Sequence, residues 1–134
     1  MRFNFVIIGG AVAINLAISH PESKGLIIEA TFTSIADMGR QSQLYRLLPL
    51  GLITHQRFDS KNKVYRLKVP VLYIHGTNDR TVPPEMSREL YNHTTSSKQL
   101  IFISGGGHNN SASVGGEMYL QAVRSFIHFT HRPI

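Results

Sequence analysis

Two residues of this chain pair an acid with a base at positions suited to moving a proton. Asp79 closes Val71-Leu72-Tyr73-Ile74-His75-Gly76-Thr77-Asn78-Asp79, and His108 closes Leu100-Ile101-Phe102-Ile103-Ser104-Gly105-Gly106-Gly107-His108. Each is a short apolar run that ends in a Gly-containing loop. Loops at the carboxyl ends of strands are where open α/β sheets place their chemistry, and an acid followed one strand later by a histidine is the second half of a Ser…Asp…His order.

The serine is the missing part. Ser111-Ala112-Ser113-Val114-Gly115-Gly116 is superficially like a nucleophile elbow, but no apolar strand precedes it and it reads as a loop after His108; without strand-turn-helix context such a motif is weak. Ser34 and Ser104 sit at or beyond strand ends and read as turn residues. His75 reads as a strand-end residue that packs or hydrogen-bonds locally. His128 and His131 share a helix face, but with no carboxylate near in sequence they make a poor metal site. His20, His55 and His93 read as surface or capping residues. Glu29 reads as a strand-end carboxylate hydrogen-bonded to a loop, with pocket contact as the alternative.

Composition narrows the classes. The 134 residues are 42% hydrophobic and 16% charged, enough apolar content for one core but little length for a complete α/β enzyme. The net charge of +6 would suit an anionic partner, yet the Lys and Arg residues are scattered without a stripe or aromatic interleaving, so nucleic-acid binding is not expected. With no cysteine there is no disulfide, zinc-thiolate site or thiol nucleophile. No cofactor and no metal are expected.

Elements of an α/β alternation position the pair. The apolar stretch Phe3 to Ile18 after Met1-Arg2 mimics a secretory signal. Asn4, Asn15 and the Gly9-Gly10 break favour instead a strand over 3–8, a turn, and a helix from Ala11 to about His20, stopped by Pro21. Further strands are predicted over 25–29, 70–75 and 100–103, the first a continuous apolar run of the kind buried on both faces of a parallel sheet. Thr81-Val82-Pro83-Pro84 leads into a helix with a proline in its first turn and Glu85 near its positive end. Met118 to about Thr130 spaces Leu120, Val123, Phe126 and Ile127 as one helical face. Residues 35–66 form an insertion too long for a simple connection, and two readings stay open: a helix pair packed on the sheet, or a cap over a pocket for an apolar substrate. The predicted fold class is α/β, with about four mostly parallel strands, flanking helices and a cap-like insertion, in one domain over 1–134.

The chain resembles the C-terminal half of an α/β-hydrolase, in the serine-aminopeptidase-like branch of abhydrolase-domain proteins, from Gly9 to about Phe129. The resemblance rests on Gly9-Gly10-Ala11-Val12-Ala13-Ile14, Leu26 to Ile35, His75-Gly76-Thr77-Asn78-Asp79, Val82-Pro83-Pro84-Glu85 and Gly106-Gly107-His108-Asn109. It implies a serine hydrolase acting on ester, thioester or amide bonds of small acyl or peptide substrates. It also implies Asp79 as the residue that orients the imidazole and His108 as general base, then acid.

The departures are equally specific. Aligning the last glycine of Gly-x-Ser-x-Gly with Gly9 puts Ile7 at the nucleophile and Phe5 at the leading small residue. Ile7 has no group that attacks a carbonyl, and a β-branched residue is poorly suited to positive φ, so an ordinary turn is expected rather than a strained elbow. The family's preceding strands, which carry one oxyanion-hole donor, have no counterpart in this sequence. Three readings follow: an incomplete copy of a hydrolase, a catalytically dead binding or regulatory module, or a feeble hydrolase in which Asp79 and His108 activate water. Strand 3–8 would present an apolar edge that favours self-association. An apolar cap on a basic chain suits peripheral membrane contact, and the default compartment is cytoplasmic.

Overall fold

A computed structural model describes residues 6–30 and 59–131. Its centre is a parallel sheet of four strands, β1 (Val6–Gly9), β2 (Gly25–Glu29), β3 (Val71–Gly76) and β4 (Lys98–Ile103), ordered as in the sequence. Every pairing is parallel, with Ile7 opposite Leu26, Ile28 opposite Tyr73, and Gly76 opposite Ile103. The two central strands are the two continuous apolar runs. Leu26, Ile27, Ile28 and all six residues of β3 are buried, as parallel strands covered on both faces require.

Helices cover both faces. On one, α1 (Ala11–Ser19) and α2 (Pro84–His93) pack through Ala13, Ile14, Ala17 and Leu90 onto Ile7, Leu26, Ile28, Val71 and Tyr73. On the other, α4 (Glu117–Thr130) brings Phe126 against Ile27, Leu72, Ile74 and Ile103. Alternate residues of each strand therefore feed opposite cores, following the two-residue period of the strand. The proline read into the first turn of a helix opens α2, with Glu85 in that turn and His93 in the last, the polarity the helix dipole favours.

Apart from one short helix, the described strands and helices lie where the sequence predicts them to within two residues; β1 runs on to Gly9, and residues 3–5 of its predicted span lie outside the described residues. One local expectation is corrected. Residues 111–115, read as a loop, form a short helix, α3 (Ser111–Gly115), started by Asn110 and ended by Gly116 at φ 53. Residues 59–66 of the insertion form two 3-10 turns, Ser60–Asn62 and Val64–Arg66, in which Val64 is buried in the α1/α2 core. The cap reading of 35–58, Phe5, Ser34 and His55 lie outside the described residues. Among the described residues no helix is long and apolar enough to cross a membrane.

The two sheet edges differ. At β4, Lys98 and Gln99 break up the apolar surface, and Lys98 Nζ donates to the Tyr91 carbonyl at 2.8 Å while lying 4.4 Å from that ring's centroid. Such a lysine blunts an edge against further pairing. At β1, Ile8 is 67% exposed, and beside it Val12 (73%) and Leu16 (47%) of α1 face solvent. Helix α1 is apolar around most of its circumference, a pattern ordinarily found in helices buried on all sides.

Candidate active site

Two glycine loops bring Asp79 and His108 together. Gly76 ends β3 so close to the β4 loop that a Cβ on it would lie 2.2 Å from the Gly106 carbonyl oxygen. Thr77 N–H donates to Ile103 O at 3.0 Å, Asn78 N–H to Gly106 O at 2.8 Å, and Gly105 N–H to the Thr77 hydroxyl at 2.9 Å. Gly105 adopts φ 77, a conformation few side chains accept. The histidine's own loop is tied to α3, where Gly107 N–H donates to Asn110 Oδ1 at 2.6 Å and the buried Ser111 hydroxyl donates to Gly107 O at 3.2 Å. Thus Ser111 holds the loop that carries His108.

At the meeting point, Asp79 Oδ2 lies 3.0 Å from His108 Nδ1. The other oxygen, Oδ1, accepts Thr81 N–H at 2.9 Å and Val82 N–H at 2.8 Å. Burial pushes the Asp79 carboxyl up, but Val82 N–H, the His108 imidazole and Thr81 N–H together outweigh it and hold it below its ordinary 3.8. An ionised carboxylate accepts only, so the proton of a neutral His108 belongs on Nδ1, which leaves Nε2 as the basic nitrogen. The Asp79 side chain is fully buried and that of His108 is 35% exposed. The carboxylate is sheltered while the imidazole reaches solvent.

The β1–α1 connection supplies no nucleophile. Ile7 lies within β1, paired with Leu26 and buried, and Ala30 is the one non-glycine among the described residues at positive φ. The expected ordinary turn is present: the strand runs straight through the elbow position. Among the described residues nothing hydrogen-bonds His108 Nε2, and Ser104 is exposed on a turn.

One serine does meet a histidine that in turn lies beside Asp79, and it was not among the sequence candidates. Ser87, on α2, contacts His75 Nδ1 at 2.5 Å. His75 Nε2 in turn donates to Val82 O at 2.7 Å and lies 3.1 Å from Asp79 Oδ2. Ser87 is fully buried in a packed core, so no carbonyl substrate reaches its oxygen. The available signal was periodicity: Ser87 shares the buried stripe of α2 with Met86 and Leu90, and a buried hydroxyl needs a partner.

Glu29, His20, His93 and His131 have structural partners. Glu29 accepts a 2.8 Å hydrogen bond from Tyr119 of α4, a helix rather than the expected loop. Burial and this carboxylate push the Tyr119 hydroxyl up to about 12. His20 pairs with Glu22 at 2.8 Å, His93 Nδ1 donates to Glu89 O, and His131 Nδ1 donates to Ile127 O at the end of α4. Among the described residues no cluster of three metal-ligating side chains occurs. A cleft of about 230 Å³ lined by Thr77, Pro84, Glu85, Arg88 and Phe102 includes neither Asp79 nor His108, and is smaller than the roughly 300 Å³ at which ligand pockets begin.

A parallel sheet with helices on both faces and an Asp–His pair on its last two carboxyl-end loops defines the chain as an α/β-hydrolase in fold. The chain belongs to the serine hydrolase (FSH1) family, whose model matches residues 6–109. It is 32% identical over 120 residues to an uncharacterized protein of Mycobacterium tuberculosis, covering 90% of this chain and 42% of that relative. Against the alpha/beta hydrolase domain-containing protein WAV2 of Arabidopsis thaliana it is 28% identical over 137 residues, covering 90% and 44%. The chain thus spans under half the length of these curated relatives. Its fold superposes on an acylaminoacyl peptidase of Pyrococcus horikoshii with a TM-score of 0.74 at 17% identity, covering 98% of this chain and 24% of that one.

Proposed function

We propose that Asp79 and His108 are the acid and base of a serine hydrolase for ester, thioester or amide bonds of small acyl or peptide substrates. We further propose that this sequence by itself does not complete the reaction. The observation that carries the reading is the 3.0 Å contact of Asp79 Oδ2 with His108 Nδ1, its second oxygen held by two backbone N–H groups. A base so oriented takes the proton of an attacking hydroxyl and returns it to the leaving group. Ile7 stands where that hydroxyl belongs.

A fluorophosphonate probe tests both parts. The 134-residue chain is expected to emerge unlabelled at every serine by mass spectrometry, and stoichiometric labelling of any serine would overturn the proposal. The double variant Phe5→Gly, Ile7→Ser is also expected to show no esterase turnover, because position 7 lies buried within β1, paired with Leu26, rather than on an exposed strand-to-helix turn.

A second reading, a binding module, is favoured by the exposed apolar set Ile8, Val12 and Leu16 beside the outer edge of β1. We infer that this edge self-associates. Light scattering is expected to give a mass above that of the monomer, and a monodisperse monomer at high concentration would count against it.

A further inference from the structure

We propose that His75, with its tautomer set by the Val82 carbonyl and its other ring nitrogen held by Ser87, is a positioning residue for the Asp79–His108 pair; this rests on the reading of that pair as acid and base. His75 interrupts the otherwise apolar run of β3 and is wholly buried, an environment in which an imidazole is costly unless both ring nitrogens have partners. Both do. The Val82 carbonyl only accepts, so the hydrogen lies on Nε2 at 2.7 Å from it. The Ser87 hydroxyl, itself fully buried, then donates to Nδ1.

These bonds act on Asp79 through one peptide unit. Val82 presents its carbonyl to His75 and its N–H to Asp79 Oδ1, so the imidazole that holds one side of the residue fixes the donor on the other. His75 Nε2 also lies 3.1 Å from Oδ2, the oxygen that faces His108. The positive edge of the ring therefore favours the ionised carboxylate in the orientation His108 needs. Ser87 belongs to α2 and His75 to β3, so the linkage registers the Asp79 loop against the core rather than leaving it to the loop's own hydrogen bonds. Phenylalanine would fill much the same volume on this strand without doing so.

The test uses the chain labelled with 15N-histidine. Long-range 1H–15N spectra are expected to show His75 as the Nε2–H tautomer and His108 as the Nδ1–H tautomer, the latter with a proton protected from water. In His75→Phe that proton is expected to exchange about tenfold faster, as the loss of one hydrogen bond to a charged network implies, and the single His108 tautomer is lost. His75→Gln, whose amide reaches Val82 O, is expected to restore most of the protection. Ser87→Ala removes one oxygen, leaves the ring in place with Nδ1 unpartnered, and is expected to give an intermediate rise in exchange at His108; it carries the test if His75→Phe does not fold. Wild-type tautomer and exchange at His108 in both His75→Phe and Ser87→Ala, whatever their melting temperatures, would overturn the proposal. Asp79→Asn is the separate control: an unchanged His108 Nδ1–H in that variant would overturn the acid–base reading itself.

Discussion

Replacing Gly76 with alanine is expected to lower the melting temperature by about 12 °C and to separate the two loops of the site. The new Cβ would lie 2.2 Å from the Gly106 oxygen, 2.4 Å from its carbonyl carbon and 2.9 Å from its Cα. All three are backbone atoms, so no side-chain rotation relieves the overlap. The loops must part, at a cost of about 3 kcal/mol, the upper range for overpacking, and for a fold of this size each kcal/mol shifts melting by about 4 °C. Parting them also lengthens the hydrogen bonds Thr77 N–H to Ile103 O and Asn78 N–H to Gly106 O, which set the spacing of Asp79 and His108. Thermal melting followed by circular dichroism checks the first effect. Gly116→Ala is the reference, since nothing lies within 4 Å of its Cβ position and only its φ of 53 is strained. Equal melting of the two variants would refute the close-approach argument.

Replacing Asp79 with asparagine is expected to cost about 1.5 to 3 kcal/mol at neutral pH, the range for hydrogen bonds to a charged group. The amide can keep its oxygen toward Thr81 and Val82 N–H, but its NH2 then faces the N–H groups of His75 and His108. The pH dependence follows from the direction of the shift. Burial raises the Asp79 carboxyl, the Val82, His108 and Thr81 donors lower it by more, and the folded value lies below 3.8. A group lowered in the folded state contributes stability above its unfolded pKa and loses it as pH falls through the folded one. The stability gap between wild type and Asp79→Asn is therefore expected to shrink as pH falls from about 5 toward 3. Urea unfolding at pH 7 and pH 3 reads it directly. A gap of the same size at both values would mean that the charge is not what the site stabilises.

The strands were legible in the sequence because parallel strands buried on both faces are continuous apolar runs, and Leu26-Ile27-Ile28 and Val71-Leu72-Tyr73-Ile74 are such runs. Helix α2 announced itself through Pro84 and Glu85, local signals of a first turn. Helix α3 did not, since five residues, Ser111 to Gly115, are too few for a helical period to show. The role of Ser87 was hidden for a different reason. Its partner is on another element, and nothing in the spacing of 75 and 87 says that strand and helix will set those side chains face to face.

By itself the sequence determined the alternation of strand and helix, the presence of an acid and a base at strand ends, and the absence of a hydroxyl at Ile7, because residue type and short-range periodicity are local properties. Only the tertiary structure decided that Asp79 and His108, 29 positions apart, stand 3.0 Å from each other. The physical reason is register: parallel pairing sets Gly76 opposite Ile103, and two glycines without side chains let the following loops touch backbone to backbone. The same packing placed His75 and Ser87 behind the carboxylate, giving the site a buried support that the chain's order does not reveal.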